Sequence, residues 1–206
     1  GAGARVGVDH RAAFGAAGPG GDHAAGQVDA AGAVGVVGMH ADGQVLEQRS
    51  LASGIMHLPS EPRVIACIHC SDGFELAFDD ACGDWLAAQP DLPVIACGMV
   101  GSAQGWGEAA YRKTPVDVAS LGQALHKVRS LRGVDVHIVP GVIEQVGLPN
   151  VMRGEETQVL GVLQSLPACA ELLIGLPGSH SKWVEVVEGR ITHFDTFMTG
   201  ELFAVL

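Results

Sequence analysis

The sequence predicts an α/β fold built on a mixed sheet. Three observations carry this. From Gly43 onward, runs of strand character alternate with stretches of helical spacing. The apolar runs PVIAC and ELLIGL each lead into a loop that holds glycine. Two further runs flank Glu188-Gly189, as in a hairpin.

The elements follow in order. Gln44–Leu51 alternates and reads as a strand. Phe74, Phe78, Ala81 and Trp85 recur at helical spacing, so Gly73–Gln89 is predicted as an amphipathic helix. Pro93–Cys97 suits a buried strand. Leu121, Leu125, Val128 and Leu131 mark a second helix. Val134–Val139 is a strand closed by Pro140 and Gly141. Glu155–Leu166 is a helix with Val159, Leu163 and Leu166 on one face, and Glu171–Leu176 is a buried strand. Lys182–Val187 and Arg190–Asp195 form the hairpin, and a last helix starts near Thr199. No C-cap glycine or proline closes that helix before Leu206, so a further C-terminal part is expected.

The first forty residues differ. About half of them are Gly or Ala, with neither helical nor strand periodicity. Residues 1–42 are therefore expected to be a poorly ordered leader, and 43–206 the folded domain.

Bulk properties narrow the function. The 206 residues are 48% hydrophobic and 17% charged, enough for a real core. The net charge of −11 and pI near 5.1 argue against nucleic-acid or anionic-membrane partners. No apolar run approaches the ~20 residues that span a bilayer, and no secretory signal is visible. The cysteines at 67, 70, 82, 97 and 169 are odd in number, which suggests reduced thiols and a cytoplasmic protein. Cys67-Ile68-His69-Cys70 lacks a second pair, so a zinc site is not expected.

Four segments could carry chemistry. Ala96–Trp106 runs from a strand into a loop with Gly98, Gly101 and Gly105, where ligands sit in open α/β sheets; the competing reading is a tight structural turn. Asn150–Gln158 places Arg153 and Gly154 before Glu155 and Glu156. Arg matches carboxylates and phosphates, while acids also favour the first helical turn for purely structural reasons. Leu176–Trp183 crowds Ser179, His180, Ser181 and Lys182 into one loop, suited to an anion; a Ser–His nucleophile lacks its strand–Ser–helix elbow. In Phe194–Phe203, Thr199 could cap the last helix, with Glu201 as its first-turn acid.

Together these segments resemble the 2-dehydro-3-deoxygalactonokinases. That family carries a glycine-rich AGMVGS-x-x-GW segment, here Cys97–Ser102 followed by Gly105-Trp106. It also carries NVMRGEETQ, here Asn150–Gln158, and PGTH-x-KW, here Pro177–Trp183 with Ser179 for Thr. The fourth segment is T-x-MTGEL, here Thr196–Leu202.

The resemblance implies an actin–hexokinase type (ribonuclease H-like) fold, of which this chain holds the N-terminal domain only. It implies transfer of the ATP γ-phosphate to the 6-hydroxyl of 2-dehydro-3-deoxy-D-galactonate with Mg²⁺. The partners are thus a sugar acid and ATP. Arg153, Glu155, Glu156 and Lys182 become candidate catalytic residues. Gly98, Met99, Ser102, Thr157, Gln158, Ser179, His180, Thr199 and Glu201 become candidate substrate contacts, and no resident metal ligands are assigned. Two departures stand against full activity. The family's D-W-G-[ST]-T-like phosphate loop is missing from 1–42, where Asp9, Asp22 and Asp29 lack the G-x-T context, and so is its C-terminal domain. The alternative expectation is a non-catalytic remnant that binds the sugar acid at most.

Overall fold

A computed structural model describes residues 5–9, 34–39, 45–166 and 170–206, the first of these as backbone. In chain order the strands and helices are β1 (Arg5–Asp9), β2 (Val34–Met39), β3 (Val45–Leu51), β4 (Arg63–Ile65), β5 (Ile68–Cys70) and α1 (Gly73–Ala88). Next come β6 (Val94–Cys97), β7 (Arg112–Lys113), β8 (Val116–Asp117), β9 (His126–Arg129), β10 (Asp135–Ile138), β11 (Val142–Glu144) and β12 (Asn150–Met152). The chain closes with α2 (Glu155–Ser165), β13 (Glu171–Leu176), β14 (Ser181–Val187), β15 (Arg190–Phe197) and α3 (Thr199–Val205).

The largest sheet runs β3-β2-β1-β6-β10-β9. It is mixed, as expected: β6 pairs parallel with β1 on one side and β10 on the other, and the outer pairings are antiparallel. Helix α1 packs on it through Phe78, Ala81, Cys82 and Leu86, against Val34, Val36, Val94, Ala96 and Val136. Asp72 caps this helix, its carboxylate accepting from the N–H groups of Phe74 and Glu75 at 2.8 and 3.0 Å.

A second core lies between α2 and the sheet β13-β14-β15-β8, where Val159, Ile174, Val184, Val186, Ile191 and Phe194 meet Val142 and Met152. The hairpin turns at Glu188-Gly189 as predicted, both residues at positive φ.

Three expectations need correction. The leader is not without strands. Arg5–Asp9 forms β1, near the middle of the main sheet, and Val34–Met39 forms β2. Their short alternations are hidden among Gly and Ala; the remaining leader residues lie outside the described ones.

Leu121, Leu125, Val128 and Leu131 do not share a helix. Val118–Gln123 is a short 3-10 turn and His126–Arg129 is strand β9, antiparallel to β10 around Gly133. The four apolar residues serve different cores. Leu121 and Leu125 pack in the second, Val128 in the first, and Leu131 against Ile65, Cys70 and Leu76. Tertiary packing overrides their helical spacing.

Strand β13 is an edge strand, not a fully buried one. Ile174 alone of its residues is buried, and Leu173 is 63% exposed.

Candidate functional site

The glycine-rich segment leaves β6 at the carboxyl end of the main sheet. Backbone register sets Asp9, the last residue of β1, beside Cys97, the last residue of β6. The loop then closes on itself. Gly101 N donates to Gly98 O at 3.1 Å, Ser102 N to Met99 O at 3.0 Å, and Gly105 N to Ser102 O at 2.9 Å. A Cβ on Gly101 would stand 2.7 Å from Ile138 Cγ2 and 3.0 Å from Arg153 Nη1. The first segment is thus pressed against the second, and Gly101 is where they touch. Gly98 and Ser102 are buried and Met99 is half-buried. Among the described residues the buried Ser102 Oγ has no hydrogen-bond partner.

The second segment forms the start of α2. Its N-cap, Gly154, has no side chain to cap the first turn, and the two acids that open the helix turn back onto the N–H groups that precede it. Glu155 Oε2 accepts from Arg153 N at 2.9 Å, and both Glu156 oxygens accept from Gly154 N at 2.8 and 2.7 Å. Thr157 Oγ1 donates to Gly154 O at 2.5 Å and lies 3.6 Å from Cys97 Sγ, fastening the helix to the end of β6. Gln158 follows, half-buried.

Arg153 is clamped. Its Nη2 donates to Ala109 O at 2.9 Å, its Nε to Tyr111 Oη at 3.4 Å, and its guanidinium lies 4.2 Å from the centre of the Tyr111 ring. Arg153, Glu155 and Glu156 are 6%, 0% and 0% exposed. Burial, reinforced by the neighbouring Glu155, pushes the Glu156 carboxyl up to about 8.

Lys182, 5% exposed, ties the third segment to the second. Its Nζ donates to Val151 O and to Thr196 Oγ1, both at 2.7 Å. Thr196 in turn donates to Asn150 Oδ1 at 2.7 Å, and Asn150 Nδ2 donates to Phe194 O at 2.6 Å.

The third and fourth segments close on each other at the surface. Gly200 N donates to Gly178 O at 3.2 Å and Glu201 N to Ser179 O at 3.1 Å. A Cβ on Gly200 would stand 2.7 Å from Gly178 O, so this approach requires glycine. The hydroxyls of Ser181 and Thr199 hydrogen-bond each other. His180 Nε2 lies 2.6 Å from Glu201 Oε2, with the two side chains 50% and 48% exposed. Thr199 is therefore not the cap that its sequence position suggests. Met198 precedes the helix without a side-chain cap, and the Thr199 hydroxyl is turned to the loop.

The site thus has a buried and an exposed layer. The candidates Arg153, Glu155, Glu156 and Lys182 lie beneath the surface, in hydrogen bonds within the protein. The candidates Ser179, His180, Thr199 and Glu201 lie at the surface. His180 pairs with Glu201 rather than with Ser179. Sequence reasoning passed over Tyr111, for which no pattern existed, and the Asn150–Thr196 bond, whose partners both lie in quoted segments.

Elsewhere, Cys67 is exposed at the β4–β5 turn and Cys70 is buried, with Sγ 3.7 Å from Asp72 O. Cys169 lies outside the described residues.

The fold has a solved counterpart. The crystal structure of a Sinorhizobium meliloti protein named as a putative 2-dehydro-3-deoxygalactonokinase superposes with a TM-score of 0.71 at 31% identity, covering 98% of this chain and 55% of that one. Fold and site together define a mixed α/β protein of the actin–hexokinase type. The family model described as 2-keto-3-deoxy-galactonokinase matches residues 33–206, and the chain belongs to that family.

A Rhizobium meliloti (strain 1021) protein named as a probable 2-dehydro-3-deoxygalactonokinase is 45% identical over 121 residues, or 57% of this chain and 38% of its own length. The Escherichia coli (strain K12) 2-dehydro-3-deoxygalactonokinase is 40% identical over 124 residues, or 60% of this chain and 39% of its own. The matches thus span well under half the length of these curated relatives.

Proposed function

We propose that this chain forms the sugar-acid side of a kinase that transfers the ATP γ-phosphate to the 6-hydroxyl of 2-dehydro-3-deoxy-D-galactonate. The observation that carries this reading is the closure of the Pro177–Lys182 loop on the first turn of α3. It gathers Ser179, His180, Thr199 and Glu201 at the surface over a rigid buried layer. Phosphoryl transfer requires mostly positioning and charge neutralisation, and a polyhydroxy acid is recognised by hydroxyl, imidazole and carboxylate groups held in fixed geometry.

The buried layer supplies the fixity. Arg153, Glu155, Glu156 and Lys182 hold the segments in register, and Thr157 ties α2 to the end of β6. ATP enters as its Mg²⁺ complex, in which phosphate and water supply most of the ion's ligands. Among the described residues no group of three or more His, Cys, Asp or Glu side chains gathers to hold a further ion. No described helix is long and apolar enough to cross a membrane. An acidic protein with unpaired thiols at Cys67, Cys70 and Cys82 suits the cytoplasm.

Titration calorimetry of the chain with 2-dehydro-3-deoxy-D-galactonate tests the reading. Saturable binding to one site, weakened by alanine at Ser179 or Thr199, is the expected result. Heats no larger than dilution would refute it.

A further inference from the structure

We infer that the cleft at β7 and β8 binds a phosphate monoester of a small hydroxylated compound, at a site separate from the surface layer of Ser179, His180, Thr199 and Glu201. The cleft holds about 400 Å³, and its lining includes Tyr111, Arg112, Lys113, Asp117 and Ser120. That volume suits a small metabolite.

The distribution of charge carries the inference. The chain has a net charge of −11, and its exposed or half-buried cations are mostly neutralised where they stand. Arg49, Arg63, Lys127, Arg129 and Arg132 each pair with an aspartate or glutamate. Arg153 and Lys182 are buried. Among the described residues, the lysines and arginines left without an acidic partner are Arg112, Lys113 and Arg190, and all three are exposed. They fall together. Arg112 and Lys113 line the cleft, and Arg190 Nη2 donates at 3.3 Å to the carbonyl of Pro115, another lining residue. Unpaired like charges held side by side in an acidic protein mark a place where an anion is attracted.

The frame around these cations is fixed. Arg112 N donates to Gly141 O at 2.8 Å and Thr114 N to Ile143 O at 3.0 Å, which holds β7 against β11. Strand β8 pairs with Arg190 and Ile191 of β15. The Tyr111 ring is stacked on the Arg153 guanidinium, and its hydroxyl accepts from Arg153 Nε, so the phenolic proton remains to be donated.

The same lining selects the ligand. Three cations against the one carboxylate of Asp117 leave a surplus of two positive charges. A phosphate monoester carries about −1.5 to −2 at neutral pH and matches that surplus, and arginine binds its oxygens in a planar fork. Asp117 would repel a bare anion but accepts from a hydroxyl. Its Oδ1 already accepts from Ala119 N at 2.9 Å, while Oδ2 makes no hydrogen bond among the described residues. The ligand is therefore both phosphorylated and hydroxylated.

The position is distinct. β8 meets β15 at Arg190, whereas the Pro177–Ser181 loop lies at the other end, where Ser181 faces Phe197. Seven residues of extended strand separate these ends by about 23 Å, further than one small sugar acid reaches.

Titration calorimetry of the chain at low salt, with inorganic phosphate, glycerol 3-phosphate and glycerol, tests this. Both phosphates should saturate one site, with glycerol 3-phosphate bound more tightly and glycerol not bound. Replacing both Arg112→Gln and Lys113→Gln should weaken both phosphates by about tenfold or more. Arg129→Gln, which removes an ion pair to Asp135 elsewhere, should change them by less than about twofold. Asp117→Asn keeps an oxygen for Ala119 N and should tighten inorganic phosphate. All these side chains are exposed, so the variants are expected to fold, which thermal unfolding verifies. Absence of phosphate binding, or equal losses in Arg129→Gln and the double variant, overturns the inference. The double variant should bind 2-dehydro-3-deoxy-D-galactonate as the unsubstituted chain does, and loss of that binding would overturn the separateness of the site. Phosphate binding as expected, with no binding of the sugar acid by the unsubstituted chain, would refute the proposed function and leave this inference standing.

Discussion

The ammonium of Lys182 stands 2.7 Å from the carbonyl oxygen of Val151, so the sugar-kinase segment PGSHSKW is bonded to the segment NVMRGEETQ across 31 residues. The ammonium also lies 5.8 Å from the centre of the Phe194 ring and donates to the Thr196 hydroxyl. Replacing it with methionine keeps the stem and removes the donor. Lys182→Met is expected to cost about 1–3 kcal/mol, because Val151 O and Thr196 Oγ1 lose a charged partner. Urea unfolding followed by circular dichroism measures this; an unchanged midpoint would contradict it.

Gly200 offers a more local test. Its absent Cβ lets Gly178 O and the Ser179 Cα approach the first turn of α3. Gly200→Ala should push the loop away at a cost of about 1–3 kcal/mol. It should also weaken sugar-acid binding, with the His180 imidazole signal shifted in the free protein.

Glu156 makes a prediction about pH. Its carboxyl is pushed up to about 8 by burial and by Glu155, against an unfolded value of about 4.3. The folded state therefore holds a proton that the unfolded state releases. The associated stability is complete below the unfolded value and is lost as pH rises through about 8. Unfolding midpoints of the chain should fall between pH 5 and pH 9, and Glu156→Gln should flatten that fall. A slope unchanged by the substitution would rule Glu156 out as its source.

A second group acts in the same direction. His193 is raised above its ordinary value, first by its hydrogen bond to Glu144 at 2.9 Å; Asp195 and Glu185 add to it and partial burial opposes it. Its contribution is full below an unfolded value of about 6.5 and is lost as pH rises through the higher folded value. The deficit of His193→Gln relative to the parent chain should thus be larger at pH 6 than at pH 9.

Much of this was legible in the sequence, for reasons that vary by element. Gly73–Ala88 and Glu155–Ser165 announce themselves by periodicity and first-turn acids, and the hairpin by its Glu188-Gly189 turn. Leu121 to Leu131 misled because their helical spacing is real but their partners belong to three separate cores. Strand β1 was hidden by the Gly and Ala around it.

The site was legible as segments but not as layers. First-turn acids look the same whether they face a ligand or fold back on Gly154 N, and only the three-dimensional packing shows that Glu155 and Glu156 are sealed. The His180–Glu201 contact joins residues 21 apart across the β14–β15 hairpin; the hairpin is legible in the sequence, but the pairing of these two side chains is not.

The most direct measurement is titration calorimetry of the purified chain with 2-dehydro-3-deoxy-D-galactonate. The proposal that this chain forms the sugar-acid side of a kinase predicts saturable binding to one site, weakened in Ser179→Ala and in Thr199→Ala. Heats no larger than dilution would contradict it.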